Sequence, residues 1–223
     1  MGRLVESLAP EYGCEVAGAI DSRSAAGRDG VVSDRWKTVD VAIDFSSPSA
    51  VAVNLPALVG RGINVVVGTT GWQKDEPAVR SAASDARAGV VSAPNFSTGV
   101  VIFEAIVEHA AALFAAQGDF GAWLHEAHHA GKKDAPSGTA LLLKRAMERG
   151  GFVRPIDISS TRAGHIPGTH TVGFDGAAEQ IVLSHAARDR TAFARGALLA
   201  ANWVKGKRGW FTMRDVLGIG RNG

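Results

Sequence analysis

The residues best equipped for chemistry lie in one stretch, residues 126–140, which reads EAHHAGKKDAPSGTA. It sets His128 beside His129 and Lys132 beside Lys133, then opens a helix with Ser137-Gly138-Thr139. The first four N–H groups of a helix have no partner inside it, and the helix dipole favours negative charge there. A Ser-Gly-Thr start therefore suits a carboxylate: Gly138 permits close approach and the Thr139 hydroxyl can add a hydrogen bond. Taken alone, Ser137 is an ordinary N-cap. Beside two imidazoles and two ammonium groups, the helix start reads as a binding site for an acidic molecule. His128 and Lys132, four residues apart around a turn, could both face that molecule and move protons. A His-His pair also suggests a metal. However, adjacent side chains of an extended segment point apart, and no carboxylate or cysteine cluster completes a zinc set, so no metal is expected.

These residues need a scaffold. Four apolar runs recur in the first hundred residues: 15–22 (EVAGAIDS), 39–47 (VDVAIDFSS), 63–71 (INVVVGTTG) and 89–97 (GVVSAPNFS). Near-continuous Val/Ile runs ending in polar turns predict parallel strands buried on both faces. Helical patterns at 49–59 and 76–88 separate them, which makes an α/β sheet with ligand loops at the strands' carboxyl ends. The pattern then changes. An apolar helix over 99–116 reads as buried between layers. A strand at 122–127, a helix at 137–149, strands at 156–161, 169–175 and 179–186, and a helix at 191–204 follow. The expected organisation is a first domain over 1–97, rejoined by the tail 204–223, and a second α+β domain over 98–203.

Composition narrows the class. Among 223 residues, 46% are hydrophobic and 21% charged, which fits a globular protein and excludes a disordered one. The 27 glycines point to tight turns and close backbone approaches. A net charge of +2 with scattered Lys and Arg gives no basic stripe for nucleic acid. No apolar run approaches the roughly 20 residues of a membrane span, and the first residues lack a signal-peptide core. Cys14 is the one cysteine; it is expected as a buried thiol, and the absence of an intrachain disulfide fits the cytoplasm. His109 and His125 carry no motif and are read as structural. His165, His170 and His185 fall on second-domain strands and are left out of the site. The five Trp are read as packing residues, with Trp72 lining a cleft beside the GTTG loop.

The 126–140 string resembles the signature of dihydrodipicolinate reductases. Other segments agree in order: VAIDFSSPSAV (41–51), VVGTTGW (66–72), SAPNFSTGV (92–100), STRAGHIPGTHTVGF (160–174), LSHAARDRTAFARGAL (183–198) and MRDVLG (213–218). The resemblance implies a Rossmann-like doubly wound parallel sheet plus a second α+β domain for substrate and oligomer contacts. It implies NAD(P)H-dependent reduction of 4-hydroxy-tetrahydrodipicolinate in lysine and diaminopimelate synthesis, and a homotetramer built through the second domain. His128 matches the family's proton donor/acceptor and Lys132 its proton donor. His129, Gly138 and Thr139 match the positions that bind the substrate's carboxylates. Gly68, Thr69 and Thr70, with Ala93, Pro94, Asn95 and Phe96, match the loops that hold the nicotinamide half. Asp21 matches the acidic residue that bonds the adenosine ribose. Asp21 disfavours a 2′-phosphate while Arg23 favours one, so use of both NADH and NADPH is expected.

The family begins with a strand followed by G-x-x-G-R-M-G, and this sequence begins at the end of that motif, Met1-Gly2-Arg3-Leu4. The first strand and its glycine loop are therefore expected to be missing from the sheet, through a misplaced start. The alternative is a non-catalytic homologue that binds dicarboxylates or assembles with other subunits.

Overall fold

The computed structural model describes residues 1–21 and 30–220. These divide into two compact units, one formed by Met1–Thr98 with Thr191–Gly223 and the other by Gly99–Arg190.

The first unit is built on a parallel sheet. Val41–Asp44 (β1), Asn64–Val67 (β2) and Gly89–Ser92 (β3) are joined through Pro48–Val59 (α2) and Glu76–Asp85 (α3). Gly209–Phe211 (β8) adds beside β3, so the order is β1-β2-β3-β8 and every pairing is parallel. Side chains alternate across a strand. Val65 and Val67 join the core under α2 and α3, while Val66 on the opposite face is equally buried. That second face is covered by Thr191–Val204 (α6), which packs on β1, β2 and β3 and against Gly2–Leu8 (α1). Helices on both faces make the sheet doubly wound.

Two expectations are corrected here. The helix at 191–204 had been placed in the second domain; it packs on the first sheet, because Val66 and Ile43 need a cover on that face. The run at 15–22 is not a strand: residues 15–21 have no regular structure and are exposed, and Ser22 and Arg23 lie outside the described residues. Among the described residues β1 is a sheet edge, and residues 15–21 have no neighbour to form a ladder. The three remaining runs do form strands, each four residues long and ending where its polar loop begins. Cys14 is half-buried, with its Sγ 3.3 Å from Asn202 Oδ1.

The second unit is a mixed sheet packed by helices. Gly121–His128 (β4) lies between Ile156–Arg162 (β5, parallel) and Thr169–Asp175 (β6, antiparallel), and Gln180–Ala186 (β7) pairs with β6. Thr98–Ala115 (α4) and Gly138–Arg149 (α5) supply Phe103, Val107, Ala111, Leu143 and Met147 to a core completed by Leu124, Val172 and Phe174. By length and composition α4 would span a membrane, and one face of it is core. It is not buried all round as its sequence suggests, since Ile106 and Leu113 are exposed. Back in the first unit, Thr212 closes a capping box with Asp215 ahead of Met213–Val216 (α7).

Gly196 marks the tightest packing of α6. A Cβ there would collide with the Phe96 carbonyl oxygen at the end of the β3 loop. Alanine in a helix is ordinarily favoured over glycine by about 1 kcal/mol. Here Gly196→Ala is expected to destabilise by about 1–3 kcal/mol through overpacking. Thermal unfolding of the two proteins checks this; an unchanged or raised midpoint contradicts the packing described.

Candidate functional site

In the second unit the site grows from the register of β4. Ala122, Leu124, Glu126 and His128 alternate inward and are buried, which carries a carboxylate and an imidazole onto the core face. Glu126 pairs in register with Ser160 on β5 and His170 on β6, and His128 pairs with Arg162. Cross-strand neighbours stand close enough for their side chains to meet.

Glu126 is fully buried. Its Oε1 accepts from Ser160 Oγ at 2.7 Å, Arg162 Nη2 at 2.7 Å and the Ser137 N–H at 3.0 Å. Its Oε2 lies 3.4 Å from His128 Nδ1 and 3.6 Å from His170 Nε2. Burial pushes the Glu126 carboxyl up, but hydrogen bonds from Ser137, Arg162 and Ser160 outweigh it and hold the group at about 2. Burial pushes His170 down to about 4, helped by His128. Burial also lowers His128, against the pull of Glu126. At neutral pH the cluster is a carboxylate facing two uncharged rings.

Arg162 extends the network by donating to the Asp134 carbonyl at 2.6 Å, which ties down the loop that carries Lys132. Lys132 Nζ itself sits on Asp134 Oδ1 at 2.7 Å. Ser137 is the N-cap of α5, its Oγ accepting from the Ala140 N–H at 3.1 Å and lying 3.2 Å from His170 Nε2. Gly138 is exposed, with nothing within 4 Å of where a Cβ would sit, and its N–H faces the Asp134 carboxylate. Thr139 is half-buried and His129 is exposed on the opposite side of the strand's end from His128.

The structure thus places His128 beside Ser137 at the start of α5, and brings in residues the sequence reading missed. Glu126 was quoted but given no role, and Ser160 and Arg162 were likewise unassigned. His170 was left out, yet its ring lies 5.1 Å from that of His128. The expectation that no carboxylate joins the histidines is overturned: Glu126, His128 and His170 present ligand-type atoms within 4.8 Å of one another. Arg162 stands against Oε1 of Glu126 at 2.7 Å and supplies its counter-charge. A carboxylate two residues before His128 on a strand shares its face, and that spacing was the available signal.

In the first unit the loops after β1, β2 and β3 lie at one end of the sheet. Asp44 Oδ1 accepts from Thr69 Oγ1 at 2.7 Å and from Ser46 Oγ at 2.8 Å, which joins two of the loops. Trp72 is buried rather than lining a cleft; its indole N–H donates to the Thr69 carbonyl at 2.7 Å. A Cβ on Gly68 would run into the Phe45 ring. Thr70 and Pro94 are exposed at the loop tips, and Asn95 Oδ1 accepts from the Ser97 N–H at 2.8 Å. Ala93 and Phe96 are buried, and Phe96 packs edge-on against Phe45, so these two offer backbone rather than side chain. Asp21 is exposed and ends no strand, which corrects the position expected for it.

Polar loops at the carboxyl ends of a doubly wound sheet, and in the other unit a buried imidazole beside an anion-ready helix start, are the parts of a two-unit nucleotide-dependent oxidoreductase. Comparison with known proteins gives the family. Residues 1–96 match the model for the dihydrodipicolinate reductase N-terminus, and residues 99–217 that for its C-terminus. A 4-hydroxy-tetrahydrodipicolinate reductase of Rhodopseudomonas palustris is 38% identical over 99% of this chain and 94% of its own. One of Stenotrophomonas maltophilia is 41% identical over 97% and 93%. A dipicolinate-bound dihydrodipicolinate reductase from Paenisporosarcina sp. TG-14 shares the fold, with a TM-score of 0.69 at 24% identity over 78% of this chain and 71% of that one. The chain belongs to the dihydrodipicolinate reductase family.

The cluster makes stability depend on pH. The folded-state values of His170 and Glu126 both lie below their ordinary ones of 6.5 and 4.5. Each therefore contributes stability that is complete above its ordinary value and is lost as pH falls through its folded value. The melting temperature is expected to fall from about pH 6.5 towards pH 4 as His170 charges, and further towards pH 2 as Glu126 protonates. His170→Gln should flatten the first part only. A wild-type midpoint constant from pH 7 to pH 4 contradicts the buried neutral ring.

Proposed function

We propose that this chain reduces 4-hydroxy-tetrahydrodipicolinate to tetrahydrodipicolinate with NADH or NADPH, releasing water, as a step towards diaminopimelate and lysine. The observation that carries this reading is the buried Glu126–His128 pair next to the N-terminus of α5, in a chain of this family. The substrate carries two carboxylates. One is received by the backbone N–H groups of Gly138 and Thr139, where the helix end favours an anion, and His129 contacts the other. His128 and Lys132 handle protons as hydride reaches the ring. Lys132 is held by Asp134 in the free protein, and a dianionic substrate draws its ammonium away.

The nicotinamide cofactor supplies the hydride when bound. Gly68, Thr69, Thr70, Ala93, Pro94, Asn95 and Phe96 fit its nicotinamide half, as loops following adjacent parallel strands with their tips exposed. Asp21 is proposed for the adenosine ribose on the family's pattern alone. The resemblance supports a homotetramer assembled through the mixed sheet, in the cytoplasm. Ile181 and Val182, exposed on β7, are apolar positions available for that contact.

Initial rates of NADPH oxidation with the substrate test the assignment. Lys132→Ala and His128→Ala should each lower turnover by at least about 10²-fold, the usual worth of acid–base help, with NADPH affinity nearly unchanged. Near-normal turnover in both variants would remove these roles. Pyridine-2,6-dicarboxylate is expected to inhibit competitively, and Gly138→Val to weaken it by blocking the helix start; equal inhibition of both proteins contradicts the carboxylate site.

A further inference from the structure

We propose that Glu126 is a positioning residue for this reaction: its Oε2 fixes His128 as the Nδ1–H tautomer and leaves Nε2 to exchange a proton with the substrate, while its Oε1 holds the helix start that receives the carboxylate. The proposal deepens the functional reading above and rests on it for the identity of the substrate.

The two oxygens of Glu126 are used differently. Oε1 takes three donors from three places, the β5 hydroxyl of Ser160, the β5 guanidinium of Arg162 and the Ser137 backbone at the start of α5. Among the described residues Oε2 has no hydrogen bond, although it is buried, and His128 Nδ1 is likewise buried without a partner. The two stand 3.4 Å apart. A carboxylate can only accept, and a neutral imidazole carries one N–H. A proton on Nδ1 satisfies both groups; a proton on Nε2 would set two lone pairs against each other in a buried site.

His170 also faces Oε2, at 3.6 Å. It is farther, and its Nε2 has an alternative partner in the Ser137 hydroxyl at 3.2 Å. His128 Nδ1 has none, so the oxygen belongs to His128. The other edge of the His128 ring is kept clear by Gly168. A Cβ at that residue would lie 3.2 Å from Nε2, and its φ of +145° is one that side chains rarely adopt.

The charges around His128 come from every neighbouring element: Glu126 on its own strand, Arg162 on β5, Lys132 and Asp134 on the loop, and His170 on β6 with His185 beyond it on β7. Glu126 is the one that most strongly favours a protonated ring, against burial and two cations. Removing its charge therefore makes the protonated ring harder to form. The same change loosens Ser137, so carboxylate binding weakens too.

Nitrogen-15 NMR of histidine-labelled protein reads the ring directly and needs no substrate, so an error in the substrate assignment cannot imitate its result. In the wild type, neutral His128 is expected as the Nδ1–H tautomer; the Nε2–H tautomer overturns the proposal, and this measurement stands even if the variant fails to fold. In Glu126→Gln, which keeps the size of the side chain, His128 should titrate at least about half a pH unit lower. Turnover should fall roughly tenfold or more, a part of the whole acid–base contribution, with its high-pH limb moved to lower pH by the same amount. A purely structural glutamate would lower the rate without moving either titration, and that result also overturns the proposal.

Discussion

A carboxylate taken out of water must be met by donors or give up its charge. In the second unit, Glu126 is fully buried and keeps its charge, and the surrounding elements are placed by that requirement. β5 contributes Ser160 and Arg162, and the start of α5 turns its first free N–H towards Oε1. Arg162 spends a second bond on the 129–136 loop. Around this anchor stands the chemistry: a buried imidazole, a lysine and a helix start. Breaking a buried ion pair by removing one partner is commonly more damaging than replacing the whole pair. The arrangement is therefore rigid for a reason separate from catalysis, and catalysis can use the rigidity.

The first unit meets its constraint differently. Its strands are short, with β2 and β3 buried on both faces, so the loops beyond their carboxyl ends must be held from below. Asp44 ties the β1 and β2 loops together, Trp72 pins the Thr69 carbonyl, and Phe45 fills the space that Gly68 leaves open. Each of these is a residue beside the matched family position rather than the position itself. The loops are built to present backbone at fixed places, which suits a ligand that is the same for many enzymes.

Much of this was legible in the sequence. Val/Ile runs ending in polar turns gave β1, β2 and β3, and the Ser-Gly-Thr start gave α5 with Ser137 as its cap. His128, Lys132 and Gly138 could be singled out because they lie close together along the chain. What could not be read was register. Glu126 meets His170 and Ser160 only because β4 pairs with β6 and β5 in one alignment, and a slip of one residue would turn every side chain to the other face. The assignment of α6 failed for a similar reason: an amphipathic helix shows which of its faces is apolar, not which sheet it covers. Residues 15–21 failed because an apolar run becomes a strand only beside a partner.

Glu126 stays ionised while buried, held by donors from β5 and α5. A carbon-13 NMR titration of its side-chain carboxyl tests that most directly. The carboxylate is expected to resist protonation down to about pH 2, with Ser160→Ala and Arg162→Ala each raising the value. Protonation in the ordinary glutamate range near pH 4.5, or above it as burial alone would dictate, would contradict the account.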